Sequence, residues 1–202
     1  MGQYYKCLTK EGGEFKAYSL QVKGWKEKDD GKYGYYNGVK LMEHSWWGNS
    51  FMKAITTKLY HHKMRVAWVG DYADDFNWAD EDRISPRTLH WLAWGGFKDT
   101  PTLQDEDIDE GDMTLDHKYL VNHTRMIYLD CDEYKKKAQD KDGWCVHPLS
   151  LLTACGNGMG GGDYWEEHPY SDCVGDWCFD EISVEDTPPK NYTKEYYEFR
   201  EN

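Results

Sequence analysis

Nowhere in these 202 residues do roughly 20 apolar side chains follow one another, the length a helix needs to cross a bilayer. The opening MGQYYKCLTKEGGEF has no apolar core of the secretory-signal kind, and Lys6 stands where a myristoylation motif needs Ser or Thr. The expectation from both is a cytoplasmic protein. Its six cysteines, Cys7, Cys131, Cys145, Cys155, Cys173 and Cys178, contain no Cys-x-x-Cys pair. The closest two are Cys173 and Cys178, a poor zinc spacing, so the set reads as small buried thiols in a reducing compartment. There is no Pro- or Ser-rich linker and no low-complexity tract, so one domain over 1–202 is expected.

Positive charge is the most informative scarcity. Residues 1–65 hold twelve Lys or Arg against six acids, whereas 66–202 hold twelve against thirty-one, and the whole chain carries a formal charge of -13. From Asp142 to Pro189 there is no Lys or Arg at all. A basic part, 1–65, thus adjoins an acidic part, 66–202. The acidic part should repel nucleic acid and draw cations or basic surfaces. Aliphatics are sparse, but 10 Trp and 16 Tyr lift the aromatic share to 16%, enough to build a core whose N–H and O–H groups want partners.

Aromatic and β-branched runs predict strands at 3–9, 14–20, 64–70, 124–130, 147–154 and 176–184, with 192–199 balanced between strand and terminal helix. Phe51, Ile55 and Leu59 share one face of a helix over 50–61, capped by Asn49 or Ser50. Ser85-Pro86 opens a second helix that should stop at Gly95-Gly96, and a third spans Asp132 to Gln139. The strands are not separated by regular helices. This gives an α+β fold, a single domain with a mostly antiparallel, aromatic-rich sheet and about three short helices.

GNGMGGGDYWEE (156–167) has the glycines of a phosphate loop but neither the Gly-Lys-Ser/Thr ending nor a base within the surrounding stretch. At an effective dielectric near 20, each carboxylate about 4 Å from a phosphate costs roughly 4 kcal/mol, so an anion needs a base from the N-terminal part or a bridging metal. Gly-Asp-aromatic recurs at 70–72, 162–164 and 175–177, a turn in which Gly takes positive φ and Asp bonds nearby N–H groups. In QDEDIDEGDMTLD (104–116), Asp105, Asp107 and Asp109 match EF-hand positions 1, 3 and 5, but Glu110 replaces the required glycine and Asp116 the final Glu. An irregular Ca2+ or Mg2+ site is the alternative to a solvated loop; no other cofactor is expected. Candidate catalytic groups are His44, Asp71, His147 and Asp163, with His90 and His123 behind them. Cys155 follows His147 by eight residues and could form a nucleophile pair with it, although carboxylates would raise its thiol.

MGQYY, KLMEHSWWGN (40–49), VGDYAD (69–74), VNHT (121–124) and HPLSLLTACGNGMGGGDY (147–164) together resemble an uncharacterised family of bacterial and phage proteins. The resemblance implies occurrence on mobile elements and carries over no catalytic residue.

Two functional expectations follow. The first is a non-enzymatic acidic binding or inhibitor protein that docks on a basic surface of a host or defence protein, as a nucleic-acid mimic would. It would use Asp74, Asp75, Asp80, Glu81, Asp82, Asp163, Glu166, Glu167, Asp172 and Asp176, with no direct nucleic-acid or membrane binding. The alternative is a small-molecule-binding protein or metal-assisted enzyme with a cleft around His44, Asp71, His147 and the glycine-rich loop 156–163.

Overall fold

MRVAWVG, the strand expected at 64–70, is the centre of the molecule. In the computed structural model, the chain is described over residues 3–26, 33–36, 40, 45–73, 86–93, 105–108, 113–156 and 173–197. The strands are β1 (Tyr5–Glu11), β2 (Glu14–Lys26), β3 (Tyr33–Tyr36), β4 (Met64–Gly70), β5 (Asp105–Ile108), β6 (Tyr119–Asn122), β7 (Ile127–Asp130), β8 (Ala154–Cys155), β9 (Glu181–Glu185) and β10 (Thr193–Lys194). The helices are α1 (Ser50–Leu59), α2 (Pro86–Ala93), α3 (Cys131–Ala138) and α4 (Pro148–Leu152). One sheet runs β10-β7-β6-β9-β4-β1-β2-β3, with β5 beside β2 and β8 beside β4. Its pairings are antiparallel except β10 with β7, β5 with β2 and β8 with β4. The mostly antiparallel α+β architecture is as the composition and patterning imply.

Strand β4 is bonded along both edges. On one side β1 runs antiparallel to it, from Tyr5↔Gly70 to Lys10↔Arg65. On the other, β9 pairs with Met64 and Arg65, and β8 pairs in parallel with Trp68 and Val69. Alternation then sorts side chains onto two faces. Tyr5, Cys7, Tyr18, Val66 and Trp68 join the core under Phe51, Met52, Ile55 and Leu59 of α1. Leu8, Ala17, Ala67, Val69 and Cys155 point the other way, against Leu89 and Ala93 of α2. With both faces covered, β4 reads as an almost unbroken apolar run rather than an alternating one.

The helix signals act as the sequence suggests. Asn49 Oδ1 accepts from Phe51 N at 2.9 Å, capping α1, and Asp130 Oδ1 accepts from Glu133 N at 3.1 Å, capping α3. The segment 147–154 departs from expectation: it is not a strand but α4, followed by the two-residue β8. His147 is its cap and Pro148 its first residue, where the missing N–H costs nothing. Residues 173–180 are likewise turns rather than the start of the 176–184 strand. The backbone of the acidic run is not that of an EF-hand loop. Residues 105–108 are extended and paired with β2, Ala17 opposite Asp105. Asp109 lies outside the described residues. Asp116 is bound by Lys135 Nζ at 2.7 Å.

Trp68 has no exposed surface and meets the Phe51 ring edge-on at 6.1 Å. Its indole N–H is buried without an acceptor, so its contribution is packing alone. Trp68→Ala should therefore cost about 3–5 kcal/mol in urea unfolding, whereas Trp91→Ala on the exposed side of α2 should cost under about 0.5 kcal/mol.

Candidate functional site

The C-terminal end of β4 is a corner where several chain segments meet. Val69 is paired with Lys6 on one side and Cys155 on the other, so Gly70, the last residue of β4, lies near Gly156, the first residue after β8. Both glycines are required by the same filling. A Cβ on Gly156 would collide with the Tyr5 hydroxyl and the Gln3 amide, and one on Gly70 with Gln3 and the Tyr5 ring. Tyr5 in turn donates its O–H to Gln3 Oε1 at 2.9 Å, and Gln3 is wholly buried. This answers why glycine opens the 156–163 loop: the backbone must pass against Tyr5.

Asp71 closes the corner. Its Oδ1 accepts from Tyr4 N at 3.0 Å, and its own N–H donates to Tyr4 O at 3.0 Å. That double tie fixes Tyr4 and Tyr72 at the sheet end, with 44% and 38% of their surface exposed. The Gly-Asp-aromatic turn recurs with different contents at 175–177: Gly175 takes φ 80°, Asp176 is exposed and Trp177 is fully buried. The copy at 162–164 lies outside the described residues.

Behind the corner, on the α2 face, sit Lys6 and His90, 1% and 4% exposed. His90 Nδ1 donates to the Val69 carbonyl at 2.9 Å, which leaves the lone pair of the neutral ring on Nε2. Burial lowers its pKa, the Val69 hydrogen bond and Asp71 oppose this, and the Lys6 charge adds to the lowering. A base from the N-terminal part thus does reach the strand beside Gly156. Sequence reasoning missed Lys6, Gln3, Tyr4 and Tyr72 here; only the GDYAD block pointed to the corner.

A second polar network lies where α1 hands over to β4. His61 Nδ1 meets Glu185 Oε2 at 2.7 Å and its Nε2 meets Asp186 Oδ2 at 3.3 Å. The Glu185 hydrogen bond, against partial desolvation, and then both carboxylate charges raise its pKa. Lys118 Nζ and the Tyr60 hydroxyl also bind Asp186, at 2.8 and 2.6 Å. His123 Nε2 lies 2.8 Å from Ser183 Oγ, the spacing of a nucleophile and its base. The protons run the wrong way for catalysis. A carboxylate only accepts, so Ser183 donates to Glu185 Oε1 at 2.7 Å and accepts from Nε2–H, while Nδ1 accepts from Tyr192 at 3.0 Å. Ser183 is also fully buried.

The four-residue cleft around the glycine-rich loop is not assembled by the residues described. His44 and Asp163 lie outside them, Asp71 is engaged with Tyr4, and His147 is a core residue 2% exposed. Its Nδ1 accepts from Leu149 N at 3.3 Å, so Nε2 carries the proton toward Thr56 Oγ1, 3.4 Å away. The structure forms no Cys155–His147 pair: both ring nitrogens of His147 are engaged by Leu149 and Thr56, and Cys155 is joined to Cys178. That bond corrects the expectation of six thiols. Cys7, Cys131, Cys145 and Cys173 do remain free and buried.

Of the acidic candidates, Asp74, Asp75, Asp80, Glu81, Asp82, Asp163, Glu166, Glu167 and Asp172 lie outside the described residues, and Asp176 is exposed. The end of the base-free stretch is not a bare negative strip. Asp180 meets Arg125 Nε at 2.7 Å, and Glu185 and Asp186 are held by His61 and Lys118 as above. Among the described residues no group of three or more His, Cys, Asp or Glu could hold a metal. A shallow, open groove between α3 and β10, lined by Leu129, Glu133, Lys137, Lys194, Tyr196 and Tyr197, encloses far less space than the roughly 300–1,000 Å3 of small-ligand pockets. No described helix is long and apolar enough to cross a membrane. No family model, curated protein or solved structure matches the chain.

Burial lowers the pKa of His147 to about 3. Its denatured form binds a proton below about pH 6.5 that the folded form refuses until about 3, so stability is lost as pH falls through that window. His90 and His123 are shifted down too and act in the same direction. Urea unfolding should give a stability about 2 kcal/mol lower at pH 5 than at pH 7 from His147 alone. His147→Asn keeps a capping oxygen and removes the titration, and should shrink that difference.

Proposed function

We propose that the protein is a non-enzymatic acidic binding protein that docks the β4–β8 corner onto a basic protein surface, in the manner of a nucleic-acid mimic that occupies the channel of a host or defence protein. The observation that carries this reading is the parallel register of Val69 with Cys155. It makes neighbours of the points from which two acid-rich segments leave the sheet: ADDFNWADED after Tyr72 and GNGMGGGDYWEE after Cys155. Asp71 ties down the backbone of Tyr4, and the partly exposed Tyr4 and Tyr72 lie beside those points. Exposed aromatics suit Lys and Arg side chains through their ring faces, and acid-rich segments add attraction through charge. The ion pairs at Asp180, Glu185 and Asp186 support the same choice of surface, because they take the other end of the acidic run out of contention.

An arginine-rich peptide such as protamine serves as the probe. Binding should weaken steeply with salt, and neutralising Asp74, Asp75, Asp80, Glu81 and Asp82 together to Asn or Gln should weaken it at least about tenfold. Asp142→Asn, on the exposed turn after α3, should change it less than about twofold. Equal losses from both variants, or binding indifferent to salt, would contradict the reading.

A further inference from the structure

We propose that Cys155–Cys178 is a reversible redox latch on the β4–β8 corner, opened by dithiol reductants without loss of the fold. Four observations carry it. The bond spans a sequence separation of 23 with Cα atoms 6.6 Å apart, joining the last residue of β8 to the turn before β9. Redox chemistry in this chain is confined to that pair: burial pushes the Cys7 and Cys131 thiols up and Cys145 up to about 12, and all four free cysteines are buried. Burial keeps Cys7, Cys131 and Cys145 protonated and shields Cys173, whereas Cys178 is only half-buried.

The turn also has other holds. Gly175 N–H bonds Leu151 O at 3.0 Å, Trp177 N–H bonds Leu152 O at 2.7 Å, and Phe179 N–H bonds Val66 O at 2.8 Å, with Trp177 fully buried. Finally, the Thr153 carbonyl, which already accepts from Trp68 N–H, lies 3.2 Å from Cys178 Sγ, so its second lone pair can receive the Cys178 thiol formed by reduction. What the bond secures is β8, whose two rungs on β4 are its only ladder among the described residues.

The chemistry balances with a dithiol. One thiolate attacks Cys178 Sγ, the S–S bond breaks, and Cys155 leaves as a thiolate that takes a proton. The second thiol then displaces Cys178, so two electrons and two protons pass to the protein and the reductant closes to a disulfide.

The test uses the full chain in dithiothreitol, with thiols counted by maleimide mass shift before and after denaturation, and amide exchange followed in both states. In about 10 mM reductant exactly one pair of sulfurs should become reactive in the native protein, and reoxidation should reverse it. Exchange at Cys155, Gly156 and Cys178 should quicken at least about tenfold, while Trp68 and Trp177 change less than about twofold. The double variant Cys155→Ser/Cys178→Ser should show the same exchange pattern without reductant. A pair that opens only with denaturant is a structural staple and overturns the proposal, as does exchange unaltered by reduction. These readouts are thiol state and amide protection, so they stand apart from the docking reading.

Discussion

The hydrogen bonding of Met64–Gly70 on both edges, under apolar cover on both faces, is the constraint from which the rest follows. A strand so placed cannot shift by one residue without sending Trp68 to the α2 face and Val69 under α1. Its register therefore decides which residues emerge beside one another at its end. Cys155 reaches that end because α4 delivers it there: Trp68 N–H bonds Thr153 O at 2.8 Å, one residue before β8 begins. The two glycines, the buried Gln3 and the Tyr5 hydroxyl fill the space between the strands, and the Asp71–Tyr4 exchange seals it.

Electrostatics divides along the same axis. An excess of acids this large would destabilise a compact chain by self-repulsion if left uncompensated. The structure relieves it where α1 meets β9, through His61, Lys118 and Arg125, and again where Lys194 meets Asp130 at 3.1 Å and Glu133 at 2.6 Å. The histidines follow suit. His61, between two carboxylates, favours its proton; His147 and His90, in the core, refuse theirs. Each is explained by burial and neighbours, and each serves the fold.

Much of the architecture was legible in the chain because it is local. The apolar run at 64–70 coincides with β4, Asn49 marks the start of α1, and Ser85-Pro86 marks α2. HPLSLLTA misled because a short apolar run does not reveal its period; the capping side chain of His147 and Pro148 at the first helical position tipped it to helix. The parallel pairings of β5, β8 and β10 left no local trace, since each strand of two to four residues is chosen by a distant partner. The same holds for the corner. Nothing in the spacing of Lys6, Asp71, His90 and Gly156 announces their meeting, and a pairing among six cysteines cannot be read from spacing alone.

Docking through one end of β4 is the proposal on which the functional reading rests. Chemical-shift mapping with isotope-labelled protein and an arginine-rich peptide tests it most directly. The amides of Tyr4, Asp71, Tyr72 and Gly156 should move together and saturate at one concentration, with those of β7 and β10 still. Shifts gathered instead around Asp130, Glu133 and Lys194, or spread evenly over the surface, would contradict it.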